Sequence, residues 1–554
     1  MNNYVKVLAA GAITIATSSC SSFIDINQNP NNLTSVTPDA QLAAALSTTA
    51  ANYTGNNPSY NSYASWAAGY WGKSGVVSGY GEELTYNYST SYYAGLWDNT
   101  YDNLEDYAQI QSKGTANGYP YHAAIARIMK VYNYLLLVDE YGNIPYTNAL
   151  QGLGNIGPSY DNAADIYKDF IVQLNGAITD INTARASATA TFTPRAVGAE
   201  DIVFGGNMDR WKQFANSLKL RILLRESQTN DAALNTYVAQ QMTALQTATD
   251  GFITTDVVAQ PGYAQNTGQQ NPLYNRYAYT PAGTGATERS YQLPTQFAID
   301  QYLNNNDPRV SQYYTLGGRF VNGAAVSQYV GARPGESNSP SFNPLTADAP
   351  VLGSRFLGAN STTASGAIFK GLNAPTILMA LSEHLFSKAE AETRGLITNG
   401  DASADYQNGL VAAFQTAYRA GNTAPVAVPT DPTTSTATGL SQYRTYIAAN
   451  TTNPLVNFAT APSNGALGKQ ALIIYQKYLA MNSIGSVEAW DDYRRTSYPK
   501  LQASGYPVSS QSQSPRADKL PTRLFYPLSE VSTNAANVPT GVTQYTKIFW
   551  DVVD

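Results

Sequence analysis

Apolar residues recur at helical spacing in several stretches of the chain. Within residues 119–139 they fall three or four positions apart and form one face of a helix: Ile125, Ile128, Met129, Tyr132, Leu135 and Leu136. Within residues 208–226 the same spacing joins Trp211, Phe214, Ala215, Leu218 and Ile222. Further helices are predicted over residues 38–52, 162–184, 376–394, 404–419, 466–483 and 486–494.

The connections between these helices predict how they are arranged. The helix over 119–139 is expected to stop at EYGNIPY, because Gly142 and Pro145 interrupt it. Paired helices with short connections are typical of an α-solenoid of the tetratricopeptide kind. A clean repeat of about 34 residues is absent from the sequence. The prediction is therefore a mainly α protein, a tetratricopeptide-like helical bundle or solenoid with little β structure.

The middle of the chain has a different pattern. Only Asp256, Arg276, Glu288 and Arg289 are charged within residues 251–290, and five tyrosines lie in or beside this stretch. We expect a loop-rich region over about 251–374, between helical scaffold regions at about 38–250 and 375–495. Residues 421–456 look like a surface insertion. No linker divides the chain convincingly, so residues 20–554 are predicted to form a single domain.

The N-terminus predicts export and lipid attachment. Lys6 is followed by an apolar run over about 7–16 and by small residues before Cys20, which is the layout of a secretory signal over residues 1–19. The run is shorter than the roughly 20 residues that span a bilayer. The layout resembles a bacterial lipoprotein signal, although Thr17 stands where leucine is usual. Cys20 is then the lipidation site; the alternative is an ordinary signal peptide with an incidental cysteine.

Composition narrows the class of partner. Cys20 is the single cysteine, so neither disulfides nor thiolate metal sites are available to the fold. The net charge of −6 argues against nucleic acid, which needs clustered cations. Only 13% of the residues are charged, whereas tyrosine occurs 41 times. Such a surface suits neutral polar ligands, and it is equally typical of some extracellular proteins that bind no ligand.

Residue patterns for catalysis are sparse. The two histidines, His122 and His384, lie far apart, and no HExxH or GxSxG motif occurs. A glycosidase needs two facing carboxylates, whereas Glu82–Glu83 and Asp491–Asp492 are adjacent in sequence. Carboxylates elsewhere remain free to converge in the fold. We expect no catalytic residues, no metal and no other cofactor.

Seven blocks of the sequence resemble the SusD/RagB family of lipoproteins. In chain order they are FIDINQNPNNLTSV with its NPN motif, VDEYGNIPYTNALQG with PSYDNAADIYKDFIVQL, DIVFGGNMDRWKQFANSLKLRILLRES, NNNDPRVSQYY, LSEHLFSKAEAETRG, EAWDDYRRTSYP and KLPTRLFYPLSEVSTNAANV. The resemblance runs from about residue 20 to 540. Most blocks are also explained by structure: Asn216 and Ser217 are expected to bond to backbone, and Arg494 and Arg495 either to brace helix ends or to pair with carboxylates.

The resemblance implies a role in nutrient capture. Members of this family are tetratricopeptide-like helical bundles with decorating loops, lipid-anchored at the cell surface of the outer membrane of Bacteroidetes. They act as lids on a SusC-like TonB-dependent transporter and deliver oligosaccharides, or in some relatives peptides. The implied partners are therefore the transporter and its cargo, with membrane contact through the lipid anchor only. Two other classes stay open, a surface glycoside hydrolase and a structural or adhesive lipoprotein.

Two stretches combine the side chains that a sugar site needs. Aromatic rings stack on the apolar faces of sugars, and polar groups beside them fix orientation. Residues 60–88 and 263–291 supply both kinds. The candidate ligand-binding residues are Trp66, Trp71, Tyr80, Tyr263, Tyr274, Arg276, Tyr277, Tyr279 and Tyr291. For each aromatic residue the competing interpretation is core packing, which is also the expectation for Trp97.

Overall fold

Helices dominate the structure, a computed structural model that describes residues 36–116, 118–189, 193–336, 340, 351–356, 358, 367–421, 423–500 and 508–551. The helices are α1 Pro38–Thr54, α2 Tyr60–Ala67, α3 Gly81–Thr85, α4 Gly95–Ala116, α5 Pro120–Tyr141, α6 Ala163–Ala186, α7 Met208–Arg225, α8 Ala232–Leu245, α9 Pro272–Tyr277, α10 Gln296–Leu303, α11 Val310–Tyr313, α12 Leu381–Thr393, α13 Ala402–Tyr418, α14 Leu440–Ala449, α15 Lys469–Met481, α16 Ser486–Thr496 and α17 Leu528–Thr533. The predicted mainly α class is confirmed. The signal segment 1–19 and Cys20 lie outside the described residues.

Local sequence fixes where the scaffold helices begin. Asn162 precedes α6, and its side-chain oxygen accepts a hydrogen bond from the amide of Ala164 at 3.0 Å. Asn207 caps α7, Asp231 caps α8 and Asp401 caps α13 in the same way. Proline stands at the start of α1 and α5, where its missing N–H costs no helical hydrogen bond.

The long helices pack as neighbours in chain order. Helix α5 contacts α4 on one side and α6 on the other, and α6 in turn contacts α7. A second group is formed by α12, which packs against α13 and α15. Helix α16 contacts both α2 and α7 and so joins the C-terminal part of the chain to the N-terminal helices. Buried apolar side chains from Leu42 to Trp550 form one core across these groups.

The strands are short and belong to the decorating segments. They are β1 Trp71–Lys73, β2 Ile144–Pro145, β3 Tyr160–Asp161, β4 Val257–Ala259, β5 Gln292–Pro294, β6 Gly317–Val321, β7 Ala324–Gln328, β8 Val351–Leu352 and β9 Thr376–Met379. All of the pairings are antiparallel, β1 with β5, β2 with β3, β4 with β9, and β6 with both β7 and β8. In the first of them Trp71 lies opposite Pro294, which brings residues near 70 and 290 together.

Several elements differ from the sequence-based expectation. Residues 376–394 were predicted as one helix, but Thr376–Met379 form a strand and the helix begins at Leu381. Helices α2, α4 and α14 lie in segments rich in Tyr, Asn, Ser or Gly, residues with low helix propensity. Tertiary packing overrides that propensity, because every residue of α2 is buried. Helix α14 lies within residues 421–456, which were predicted to be an irregular insertion.

An unusually large set of charged side chains is buried where five helices meet. We call this set the buried ion network. It comprises Asp139 and Glu140 on α5, Arg221 and Arg225 on α7, Glu383 and Glu390 on α12, Lys477 on α15, and Glu488, Asp491, Asp492, Arg494 and Arg495 on α16. Arg225 is central, because its guanidinium pairs with Asp139 and Glu488 and lies 2.9 Å from Asp491. Arg495 pairs with Glu390 at 2.7 Å and with Asp492 at 2.8 Å. The expected pairing of Arg494 and Arg495 with carboxylates is confirmed.

The network contains seven carboxylates and five cations, so the charges do not balance. Burial disfavours the ionised form of a carboxyl group, although Arg225 opposes this effect, and the pKa of Asp139 is raised to about 8. Burial likewise raises the pKa of Glu383 to about 7, against the opposing charge of Arg221. Burial and the neighbouring carboxylates thus favour the protonated form of these two groups, whereas the arginines paired with them favour the ionised form.

Removing the central cation should destabilise the protein strongly. We expect Arg225→Met to lower the free energy of unfolding by about 3–5 kcal/mol, because it leaves buried carboxylates without their partner. The control is Arg185→Met, which breaks a 3.0 Å pair with Asp209 in which both side chains are exposed. That loss should stay below about 1 kcal/mol. Urea unfolding followed by circular dichroism measures both, and equal losses would contradict the prediction.

Candidate functional site

An open cleft of about 590 Å³ lies at the edge of the helical scaffold. One wall comes from the segment between β1 and α4, the other comes from α9 and residues 287–291, and residues 57 and 58 between α1 and α2 complete the lining. The cleft is lined by Asn57, Pro58, Tyr80, Glu82, Glu83, Ser91, Tyr92, Tyr93, Ala94, Gly95, Arg276, Thr287, Glu288 and Tyr291. Pairing of β1 with β5 joins the two walls next to Tyr291, where the amide of Ser74 donates to the carbonyl oxygen of Tyr291 at 2.9 Å.

Close backbone packing holds the second wall in place. Helix α9 begins at Pro272, beside the C-terminal end of α1. A Cβ atom on Gly55 would lie only 2.3 Å from Pro272, so the absence of a side chain permits this approach. Asn271 caps α9, and its side-chain oxygen accepts from the amide of Tyr274 at 3.0 Å. The short helix is therefore anchored at its start and presents Arg276 to the cleft.

Tyr80 is the best supported aromatic side chain of the cleft. Its ring stacks on Trp66, with centroids 4.9 Å apart and an angle of 29° between the planes. Its hydroxyl accepts a hydrogen bond from the side-chain amide of Gln292 at 2.9 Å. Trp66 itself is buried behind Tyr80 and also contacts Trp71 edge to face. The half-buried ring of Tyr80 is thus a fixed surface for a ligand.

The wall that carries Tyr80 has an unusual backbone. Tyr80, Tyr86 and Tyr93 have φ values of 58°, 54° and 52°, in the left-handed region that residues with a Cβ seldom adopt. Hydrogen bonds and packing hold this conformation: the Glu82 carboxylate accepts from the amide of Ser89 at 2.8 Å, and the ring of Tyr88 stacks on Tyr92 at 4.2 Å. Such strain is often found at binding sites, where it fixes side chains in position before a ligand arrives.

The opposite wall is organised by one arginine. The Arg276 guanidinium donates to both carboxylate oxygens of Glu288, at 2.8 and 3.0 Å. It also donates to the side-chain oxygen of Asn57 at 2.9 Å and to the carbonyl oxygen of Asn56. Its carbon atom lies 4.8 Å from the centre of the Tyr277 ring. Arg276 therefore fixes α9 to residues 56 and 57, which lie between α1 and α2 at one side of the cleft.

One carboxyl group of the cleft titrates near neutral pH. Burial raises the pKa of Glu83 to about 7, and the neighbouring charge of Glu82 adds to this effect. The hydroxyl of Tyr92 beside it favours the ionised form and limits the shift. A protonated carboxyl group is both a donor and an acceptor of hydrogen bonds, as is a sugar hydroxyl.

The predicted site residues fall into three groups. Tyr80, Arg276 and Tyr291 line the cleft, and Trp66 supports it from behind. Trp71, Tyr274 and Tyr277 are buried in the core, which favours packing over ligand contact for these three. Two tyrosines lie outside the cleft lining: the Tyr263 hydroxyl bonds to that of Thr376 at 3.0 Å, and Tyr279 lies against the guanidinium of Arg289. Trp97 is buried, as predicted.

Sequence reasoning missed part of the cleft. The candidate stretch ended at residue 88, whereas the wall continues to residue 95 through Tyr92, Tyr93 and Gly95. The dense run of tyrosines in YNYSTSYY was the signal that would have extended it. The other missed group, around Asn57 and Pro58, lies more than 200 residues from Arg276, and only the fold brings them together.

A second cleft, of about 550 Å³, lies between α4, α5 and α6. Its charged groups already have partners: Arg127 pairs with Asp180 at 2.9 Å, and Asp169 accepts from the hydroxyl of Tyr146 at 2.6 Å. The Asp161 carboxylate accepts from the backbone amides of the turn at residues 146 and 147. These contacts fix the connection between helices, so we take the first cleft as the candidate ligand site.

The described residues contain neither a cluster of three or more side chains suited to hold a metal ion nor a helix long and apolar enough to cross a membrane. Asn216 and Ser217 bond to backbone as expected, to the carbonyl oxygens of Gly251 and Gln213.

Solved structures share this architecture. A chitin-binding protein superposes with a TM-score of 0.67 at 22% identity, over 93% of this chain and 100% of that one. A SusD homologue from Bacteroides uniformis superposes with a TM-score of 0.65 at 23% identity, over 92% of this chain and 99% of that one. A SusD homologue from Bacteroides fragilis superposes with a TM-score of 0.67 at 19% identity, over 93% of this chain and 99% of that one. At these identities the likeness concerns the fold.

Sequence comparison identifies the family. No curated protein sequence matches the chain. The family model SusD-like, described as starch-binding and associating with the outer membrane, matches residues 30–527. The match covers most of the chain, and the fold agrees with that of SusD homologues over almost its whole length. The chain therefore belongs to the SusD-like family, as its sequence blocks indicated.

Proposed function

We propose that this protein is a cell-surface lipoprotein that captures oligosaccharide nutrients and passes them to a SusC-like TonB-dependent transporter. The observation that carries the proposal is the cleft in which Tyr80, stacked on Trp66, faces the wall that holds Arg276. The family description, starch-binding and associating with the outer membrane, supports the same class of ligand.

The cleft suits a neutral polar ligand for two reasons. A preformed aromatic surface stacks on the C–H face of a sugar ring at little entropic cost. The charged groups beside it are already paired, since Glu288 is held by Arg276 and Glu82 by the amide of Ser89. A ligand therefore meets oriented hydrogen-bonding groups without having to neutralise an isolated charge.

Peptide cargo is the main alternative, because an aromatic cleft with polar walls also accepts a peptide backbone. A surface glycoside hydrolase is the less favoured alternative, and Glu83 is the group that would matter to it, because a general acid needs a raised pKa. Hydrolysis also requires a second carboxylate placed across the scissile bond. We assign Glu83 to ligand binding, and no catalytic residue is proposed.

Calorimetry with the soluble form that starts after Cys20 tests the cargo and the site together. We expect saturable heat with one or more members of an oligosaccharide panel and none with a panel of short peptides. Tyr80→Ala should weaken binding about tenfold or more, since a stacked ring is worth about 1 kcal/mol or more beyond its buried area. Tyr291→Ala should weaken binding as well.

Tyr237→Ala on α8 is the matched control, a partly exposed tyrosine outside the cleft lining, and it should leave affinity unchanged. Binding of peptides instead of glycans would select the alternative cargo. Full glycan affinity in both cleft variants would place the ligand elsewhere.

Glycan binding should weaken as the pH rises through 7. A ligand that covers Glu83 removes water from it and disfavours its carboxylate further, so the complex takes up a proton. If the pKa of Glu83 rises by one more unit in the complex, affinity falls about tenfold between pH 5 and pH 9. Glu83→Gln should retain the affinity measured at pH 5 and lose most of this dependence. Parallel pH profiles for the two proteins would contradict the assignment.

Lipid anchoring depends on Cys20, which lies outside the described residues. Several acyl chains on one residue hold a protein stably at a membrane. Cys20→Ser should therefore move the protein from the outer-membrane fraction to the soluble fraction and abolish labelling with a radioactive fatty acid. Ser21→Ala is the control and should remain in the membrane fraction. A Cys20→Ser protein that still partitions with outer membranes would refute the anchor.

A further inference from the structure

The second cleft, between α4, α5 and α6, contains two polar groups that structural contacts leave available. Its volume of about 550 Å³ lies within the range of about 300–1,000 Å³ that is usual for small-molecule sites. One face of α5 contributes Arg127, Lys130 and Tyr134 to its lining. Gly95 of the first cleft and Ala108 of the second both lie on α4, about 20 Å apart along its axis at the helical rise per residue. The two clefts are therefore separate.

Tyr134 has a buried ring and an unbonded hydroxyl. The residue is only 3% exposed, and it lines the cleft. Its ring packs edge to face on that of Tyr146, with centroids 4.7 Å apart. Its hydroxyl makes no hydrogen bond with any residue that the structure describes. Because a buried polar group is normally hydrogen-bonded, this hydroxyl is available to a ligand in the cleft.

Lys130 is a half-buried cation with a neutral partner. Its amine donates to the side-chain oxygen of Gln111 at 3.2 Å, and it forms no ion pair within the part of the chain that the structure describes. Burial lowers the pKa of Lys130, the charge of Arg127 adds to this effect, and Glu105 and Asp169 oppose it. An ammonium group has three N–H donors, so this amine has further donors to offer to a ligand oxygen.

A row of hydrogen bonds fixes the wall beside these two groups. The Asp169 carboxylate accepts from the hydroxyl of Tyr146 and from the side-chain amide of Gln173, at 2.6 and 3.0 Å. The Gln173 side-chain oxygen accepts from the Arg127 guanidinium at 2.8 Å. A Cβ atom on Gly176 would lie 2.3 Å from that guanidinium, so the absence of a side chain lets it lie against α6. The polar groups of the wall are therefore oriented before a ligand arrives, which lowers the cost of binding.

The charges of the lining favour a ligand without net charge. Arg127 and Lys130 lie in the same lining as Asp161, Asp165 and Asp169. An anion would approach three carboxylates, and a cation would approach two positive groups. A hydroxyl group both donates and accepts hydrogen bonds, so a neutral ligand with several hydroxyls bonds to groups of both kinds.

We propose that the second cleft binds a short neutral saccharide, whose hydroxyl groups bond to Lys130, Tyr134 and Asp165. The saccharide class rests on the proposed function, in which oligosaccharides are the cargo. The Asp165 carboxylate is accessible, because its pair with Lys168, at 3.4 Å, is solvent-exposed and therefore weak. The protein then has two saccharide sites on one scaffold, and each is expected to bind independently of the other.

Calorimetry tests the site with the full-length protein in a detergent that has no sugar headgroup. The probes are the neutral disaccharides maltose, cellobiose, N,N′-diacetylchitobiose, xylobiose and mannobiose. Each is titrated into the Tyr80→Ala protein, in which the first cleft is impaired. We expect saturable heat with at least one probe. A lack of saturable heat with all of them would overturn the proposal.

Two further substitutions in the Tyr80→Ala protein locate this binding. Tyr134→Phe removes only the hydroxyl and should weaken binding about threefold to tenfold, which is the worth of one hydrogen bond between neutral groups. Lys130→Met should weaken it about tenfold or more, because a charged donor makes a stronger bond. The matched controls are Tyr237→Phe on α8 and Lys113→Met on α4, both outside the lining. The Lys113 amine also donates to neutral oxygens, and both controls should keep affinity within about twofold.

Three results would contradict the assignment. The first is unchanged affinity in Tyr134→Phe, or an equal loss in the controls. The second is tighter binding of the uronic acid or hexosamine counterpart of the disaccharide that binds, since we expect each charged counterpart to bind about fivefold more weakly or worse. The third is binding of short peptides that Tyr134→Phe weakens.

Comparison with the wild type separates the second site from the proposed function. If the wild type binds a saccharide and Tyr80→Ala abolishes that binding completely, the second site is wrong and the proposed function stands. If neither the wild type nor any variant binds a saccharide, the proposed function and the second site both fail.

Discussion

The buried ion network is the constraint on which the rest of the structure depends. Arg225 on α7 meets carboxylates from α5 and α16, so helices far apart in the chain share one electrostatic centre. Apolar packing alone tolerates small slips between helices, whereas paired charges that are buried are stable only in one geometry. The network therefore explains why α16, from the C-terminal part of the chain, packs against the N-terminal part of the scaffold. The cleft lies at the edge of this fixed body, and its walls are loops and short helices.

At the cleft, too, one arginine joins segments that are far apart in the chain. Arg276 joins Asn57 and Glu288, which are separated by more than 200 residues, much as Arg225 joins distant helices. An arginine with a planar fork of donors is suited to this task, because each bond it makes restricts the others. Left-handed residues in the facing wall, such as Tyr80, are held by their neighbours. The walls of the candidate cleft are therefore held in place although they are built from irregular segments.

The sequence predicted the scaffold better than the site. Long segments with a clear apolar face, such as α5 and α7, were found with their ends almost correct, since their periodicity is local. Helix α2 and most of α4 were missed, because Tyr, Asn and Ser dominate them and their helical state comes from burial. At the site, Tyr80 and Arg276 were identified by composition. The contribution of Asn57 was not, because a contact between distant segments leaves no local pattern.

The buried ion network and the cleft share no residues, and this affects which substitutions the protein tolerates during evolution. None of the twelve side chains of the network lines the cleft, and the cleft walls supply no member of the network. Substitutions at Tyr291 or Thr287 therefore leave the contacts of the buried ion network intact, so the lining of the cleft varies without compensating changes among the buried helices. Substitutions at Arg225 offer no such freedom. Evolutionary change is therefore expected to be tolerated in the walls of the cleft and not in the buried ion network.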